Sequence, residues 1–191
     1  MEFERCSIPD VILCKPKVFG DHRGYFFESF REDTFLEFIG KKINFCQDNE
    51  SKSQRGVIRG MHFQKMPYTQ SKLVRVVSGA VLDVAVDMRK DSPYFGKVVT
   101  AELTEENKHQ LFVPRGFAHG FAVLSEEAVF SYKCDNYYAP SHDSGFYALD
   151  EDLNIDWKTP LADLLFSEKD KNLPTFNNAH FFENSQDLYA I

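Results

Sequence analysis

Apolar and polar residues alternate in short runs along most of this chain, and turn-forming residues break the runs. The clearest is Val81 to Met88 (VLDVAVDM), with Leu82, Val84, Val86 and Met88 on one face and Val81, Asp83, Ala85 and Asp87 on the other. A period of two marks a strand. Leu73 to Val77 precedes it, and the intervening Ser78-Gly79 predicts a hairpin turn. Further strands are predicted at Gly24 to Phe30, Phe45 to Glu50, Gly56 to Gln64, Lys97 to Leu103, Gln110 to Val113, His119 to Leu124 and Ala128 to Tyr132. Helical signals are few. Asp33-Thr34 caps a short helix through Phe35, Phe38 and Ile39 that Gly40 ends, and short turns are predicted near Leu161 to Leu165 and Glu168 to Lys171. Many short strands joined by turns predict an all-β sandwich or jelly roll with a few short peripheral helices. No repeat, low-complexity tract or linker interrupts the pattern. Residues 1–191 therefore read as a single domain with its core at about 8–171, and 172–191 as a tail or a partner-wrapping arm.

Composition narrows the class. A chain of 191 residues, 43% hydrophobic and 15% aromatic with 19 Phe, is long and apolar enough to bury a core, which excludes disorder. The net charge is −7 with Lys and Arg dispersed, which argues against nucleic acid as a partner but allows a basic pocket for a phosphorylated small molecule. No apolar run reaches membrane-spanning length, and Met1-Glu2-Phe3-Glu4-Arg5 does not read as a signal peptide, so the expected location is cytoplasmic with no membrane partner. The four cysteines, Cys6, Cys14, Cys46 and Cys134, show no C-x-x-C spacing and are expected to be reduced thiols packed as small hydrophobes.

Two segments concentrate chemistry. In Gly56-Val-Ile-Arg-Gly-Met-His-Phe-Gln64, strict alternation places Ile58, Gly60, His62 and Gln64 on one face, and Gly60 admits a bulge that would turn Arg59 inward. A histidine beside a glutamine on an inner face needs hydrogen-bond partners, and taken alone it reads as a satisfied core histidine. The second segment is Leu111-Phe-Val-Pro-Arg-Gly-Phe-Ala-His-Gly-Phe121. Its Pro114-x-Gly116-x-x-His119 resembles the second motif of the cupins, jelly-roll barrels that usually hold a metal through three histidines and a glutamate. Against the first cupin motif, Gly56 and His62 are in place, but Gln64 stands where a second histidine is expected and Lys72 where the glutamate is expected. A protonated lysine offers no lone pair and repels a dication, so a metal-free pocket is expected. There Lys72 would stabilise a developing oxyanion instead.

The motifs continue in order through Phe19-Gly-Asp-His-Arg23-Gly-Tyr-Phe-Phe-Glu28, Gln47-Asp-Asn49-x-Ser51, Val57-x-Arg59-Gly-x-His62-Phe-Gln64 and Lys72-Leu-Val-Arg75. They run on through Asp83-Val-Ala-Val-Asp87, Ser92-Pro93-x-Phe-Gly96, Phe112 to Phe121, Tyr132-Lys-Cys and Tyr137-Tyr138-x-Pro140. From about Ile8 to Lys171 the chain closely resembles the dTDP-4-dehydrorhamnose 3,5-epimerase family. The resemblance implies a dTDP-linked 4-keto-6-deoxyhexose as substrate, no cofactor, and a homodimer with two active sites and strand exchange. It places the base on His62, its carboxylate partner on Asp170, the acid on Tyr132 and the oxyanion-stabilising cation on Lys72. Nucleotide and diphosphate contacts fall on Arg23, Glu28, Gln47, Asn49, Arg59 and His119, and the ring stacked on thymine on Tyr138. Lys169 matches a further ligand position, and Asp143 stands where many members have glutamate.

The chemistry is coherent without the name. Removing a weakly acidic proton α to a ketone needs a base poised near neutral pH, which is histidine's range. A carboxylate behind it fixes the tautomer, and inversion needs an acid on the opposite face. Singly, each residue has an ordinary explanation: Tyr132 and Tyr138 as sheet aromatics, Arg23 and Arg59 as surface charges, and Asp170 as a helix-capping residue in Ser-x-x-Asp. Four other functions fit part of the set: a mono-epimerase at C3 or C5, an epimerase of another 4-keto sugar nucleotide, a 3,4-ketoisomerase, and a non-catalytic sugar-nucleotide-binding cupin.

Overall fold

The computed structural model describes residues 1–189. In chain order the strands are β1 (Glu2–Arg5), β2 (Ile12–Lys15), β3 (Val18–Asp21), β4 (Gly24–Phe27), β5 (Gln47–Gln54), β6 (Ile58–Gln64), β7 (Lys72–Ser78), β8 (Ala80–Asp87), β9 (Val98–Thr104), β10 (Gln110–Val113), β11 (Phe117–Val123), β12 (Glu127–Cys134) and β13 (Asp143–Gly145). Helices α1 (Glu32–Ile39) and α2 (Glu168–Lys171) flank them. A six-stranded sheet, β1-β2-β10-β7-β12-β5, faces a five-stranded sheet, β13-β6-β11-β8-β9. All the sheet pairings are antiparallel, giving the jelly roll that the strand pattern predicted, of the cupin type that the motifs resembled.

Three apolar layers follow from strand parity. Inward residues such as Val74, Val76, Val81, Ala85, Leu111, Phe121 and Phe130 fill the space between the sheets. The other face of β8, Leu82, Val84, Val86 and Met88, is covered by Phe146, Trp157, Phe176, Phe182 and Leu188. The C-terminal stretch, expected to be a tail or a partner-wrapping arm, instead closes the core of its own chain through 189. Phe176 and Phe182 are buried there against the outer face of the five-stranded sheet. On the outside of the six-stranded sheet, Ile12, Leu73 and Phe112 pack against Phe35 of α1. Gly40 ends α1 in the left-handed region at φ 76° and donates to the Leu36 carbonyl, as its position predicted. The start is Arg31 rather than Asp33-Thr34.

Ser78-Gly79 is not a hairpin turn. β7 and β8 lie in different sheets, so the pair turns a corner from one sheet to the other. Gly79 sits at φ 82°, where a Cβ would come within 2.2 Å of the Glu127 carbonyl oxygen, so both conformation and space demand glycine.

Candidate active site

The cleft opens between the sheets at one end of the barrel. Its inner chamber, about 520 Å³, is lined by Ser51, Val57, Ile58, Arg59, His62, Lys72, His119, Phe121, Phe130, Tyr132, Leu165, Phe166, Ser167, Lys169 and Asp170. An outer chamber of about 440 Å³ shares Arg59, His62, Lys72, Tyr132 and Lys169 with it and adds Gln47, Asn49, Gln64, Tyr138 and Asp143. Arg59, Lys72 and Lys169 make the cleft basic on a protein of net charge −7.

A bulge aims the central strand. His119 of β11 pairs with His62, but Phe121 pairs with Arg59, so Gly60 and Met61 together oppose one residue. The anticipated slip occurs: Met61 turns into the outer core, and both Arg59 and His62 line the cleft. Gly60 has φ 138°, and a Cβ on it would lie 2.6 Å from the Gly120 Cα, so the two glycines let β6 and β11 close at this point.

His62 Nε2 lies 2.7 Å from Asp170 Oδ1. Asp170 is only 4% exposed. Burial pushes its carboxyl up, but the hydrogen bond and charge of His62, with further donors at Ser167 and Gly60, hold it below the usual carboxylate value. The capping work expected in Ser-x-x-Asp falls to the serine. Ser167 Oγ accepts from the Asp170 N–H at 3.1 Å, leaving the Asp170 carboxylate for the histidine. With Nε2 bound to a carboxylate, the lone pair resides on Nδ1.

Tyr132 and Lys72 come from the opposite sheet, on β12 and β7. Burial raises the phenol of Tyr132, which therefore stays protonated at neutral pH. Burial lowers the ammonium of Lys72 against the pull of Cys134, Asp83 and Asp143. His119 Nε2 sits 3.0 Å from both oxygens of fully buried Asp83. Burial moves the carboxyl up and the imidazole down, while the attraction between the two partners opposes both shifts. His119 thus lines the inner chamber together with Lys72.

In the outer chamber, Gln47 Nε2 donates to Asn49 Oδ1 at 2.9 Å, and the Tyr138 N–H donates to Gln47 Oε1 at 3.0 Å. The Tyr138 hydroxyl donates to Asp143 at 3.1 Å, and Asp143 also pairs closely with Lys169. Arg59 Nε donates to Ser53 Oγ at 3.0 Å. Gln64 is fully engaged. It donates to the carbonyls of Tyr68 and Tyr137 and accepts from the Ala139 N–H, so it braces the loop that carries Tyr138. This donor set does not fit a metal, because both histidine Nε2 atoms bind carboxylates, the amide is used and the remaining position is a cation.

Arg23 and Glu28 are not brought to this cleft by their own chain. Arg23 tips the β3–β4 hairpin, 78% exposed and paired with Asp21, and Glu28 follows the hairpin on the surface. Asp83 was missed as a site residue, although an aspartate on the otherwise apolar middle of β8 was its signal. Ser53 and the wall of Leu165 and Phe166 had no such signal. The cysteines are all free, with Cys14 and Cys134 buried and Cys46 exposed.

Comparison with known proteins decides the family. The profile described as dTDP-4-dehydrorhamnose 3,5-epimerase matches residues 5–178. The enzyme of that name from Shigella flexneri is 52% identical over 182 residues, 95% of this chain and 99% of its own. The chain belongs to the dTDP-4-dehydrorhamnose 3,5-epimerase family. It is an epimerase, and its fold matches solved members. The Elizabethkingia anophelis enzyme superposes with TM-score 0.90 at 51% identity, covering 93% of this chain and 97% of that one. A Legionella pneumophila epimerase in complex with dTDP-4-keto-L-rhamnose superposes with TM-score 0.92 at 42% identity, covering 96% and 98%. Among the described residues no helix of this epimerase is long and apolar enough to cross a membrane.

Proposed function

We propose that this epimerase inverts C3 and C5 of dTDP-4-dehydro-6-deoxy-D-glucose to give dTDP-4-dehydro-L-rhamnose, in the cytoplasm and on the way to rhamnose-containing glycans. The observation that carries the chemistry is that His62 of the five-stranded sheet, bonded to Asp170 of α2, shares a single chamber with a tyrosine and a lysine of the other sheet. His62 takes the proton from the carbon α to the ketone, and Asp170 stabilises the imidazolium. The electron pair moves onto the carbonyl oxygen, where Lys72 stabilises the enolate. Tyr132 delivers a proton to the opposite face and is reprotonated from solvent, while His62 loses its proton to solvent.

Gln47, Asn49, Arg59, Tyr138, Asp143 and Lys169 serve the nucleotide and diphosphate from the outer chamber, and His119 with Asp83 holds the floor. Incubation with the 4-keto-6-deoxy-D-glucose nucleotide in D₂O is expected to place deuterium at C3 and C5 of an L-configured product. Label at one carbon only would assign a mono-epimerase, and a displaced carbonyl a ketoisomerase.

The working unit is a homodimer. Phe19, Tyr25 and Phe26 of the β3–β4 hairpin are more than half exposed, and an isolated two-stranded hairpin with an apolar surface is not stable in water. A second subunit covering it would bring Arg23 and Glu28 to the partner's cleft. Arg23→Ala and His62→Ala chains, each inactive alone, are then expected to recover about one quarter of the activity when co-expressed, because each mixed dimer contains one complete site. No recovery would mean that Arg23 acts within its own chain or not at all.

A further inference from the structure

We infer that Tyr189, at the C-terminal end of the described chain, is a positioning residue for the reaction that acts on Lys72 through Ser71. The inference rests on the reading of Lys72 as the group that stabilises the enolate oxygen. The Lys72 ammonium makes no hydrogen bond or ion pair among the described residues, so its placement depends on the backbone that carries it. That backbone enters β7 from Ser71, which is fully buried.

Ser71 is held at three atoms. Its N–H donates to Asp135 Oδ1 at 2.6 Å, and its carbonyl accepts from the Asp135 N–H at 3.2 Å. Its hydroxyl shares a hydrogen bond of 2.8 Å with the Tyr189 hydroxyl. The Tyr189 oxygen also accepts from the Arg115 N–H at 3.2 Å, which leaves its own proton for Ser71. Arg115 closes the ring: Nε donates to Asp135 Oδ2 at 3.0 Å and Nη1 to the Leu188 carbonyl at 3.0 Å. Asp135 follows Cys134, the β12 residue in register with Lys72, and Tyr132 lies two residues back on the same strand. The ring of bonds therefore fixes the cleft end of β7, where Lys72 begins the strand, against β12.

A phenylalanine would fill the same space as Tyr189 beside Lys41 and Arg115. What the hydroxyl adds is direction, since a satisfied buried network selects one geometry. Small misplacements of a charge-stabilising group are costly to rate.

The test is a double-mutant cycle read by steady-state kinetics and solvent deuterium uptake. Tyr189→Phe is expected to lower kcat about tenfold with KM for the dTDP-sugar changed by less than about twofold. In the Lys72→Ala background the same substitution is expected to change nothing further. Ser71→Ala should reproduce the loss and add nothing to Tyr189→Phe. A Tyr189→Phe enzyme with wild-type kcat, or one whose loss is equally large without Lys72, overturns the inference. Lys72→Ala at the wild-type rate would sink the reading of Lys72 itself, and the inference with it, so the two failures are distinguishable.

Discussion

In D₂O, a His62→Ala chain is expected to introduce deuterium at C3 and C5 of the sugar nucleotide about 10²–10⁴-fold more slowly, while still binding dTDP. The imidazole of His62 lines the chamber, and its partner, buried Asp170, orients it and can stabilise the imidazolium formed when it takes the proton. Most of the groups proposed to hold the nucleotide lie on other elements, with Arg59 alone on the strand of His62. Gln47 and Asn49 are on β5, and Tyr138 is on a loop braced by Gln64. Affinity for the nucleotide therefore does not depend on the ring. Truncation also leaves Asp170 short of a donor in a buried place, at a cost of about 1–3 kcal/mol. His62→Gln separates that loss from catalysis. Its amide can reach the position of Nε2 and donate to Asp170, but it cannot accept a proton at neutral pH. Exchange at the wild-type rate in either variant would show that His62 is not the base.

Much of this site was legible because its residues break a pattern. His62 and Gln64 are polar on an inner face, Lys72 stands where a cupin has a carboxylate, and Gly60 marks the bulge that turns Arg59 inward. Asp83 broke the pattern of the most regular strand and is the partner of His119, a pairing between residues 36 apart that spacing alone does not reveal. The full length of β5 was not legible, because Ser51 to Gln54 continues in polar residues. The sheet holds them by backbone pairing with β12, and they carry little hydrophobic signal. Strands β1, β2 and β13, of three or four residues each, are too short to show a period. The corner at Ser78-Gly79 shares its sequence signature with a hairpin, because both need a glycine at positive φ. Only the inter-sheet packing distinguishes them. The C-terminal stretch looked unpatterned because it crosses the sheet as isolated anchors, Phe176, Phe182 and Leu188, with no periodic element between them.

Tyr132→Phe is expected to separate two steps that His62→Ala removes together. The ring remains packed against Phe130, so the barrel interior keeps its shape, and only the hydroxyl is lost. Abstraction by His62 proceeds from the five-stranded side, so deuterium still enters substrate by exchange on the face from which the proton left. Delivery to the other face fails, because Lys72 beside Tyr132 is occupied with the enolate oxygen and the surrounding wall of Phe121 and Phe130 carries no proton. Inversion is therefore expected to fall by about 3–5 kcal/mol of barrier, and exchange by much less. Deuterium content by mass spectrometry reads the first step, and product configuration by NMR the second. The burial that raises the Tyr132 phenol supports this division, since a phenol held protonated is available as an acid on every turnover. If the phenylalanine variant inverted C5 as fast as the unmodified chain, a water or another side chain would be the acid. The opposition of the two sheets would then no longer explain the stereochemistry.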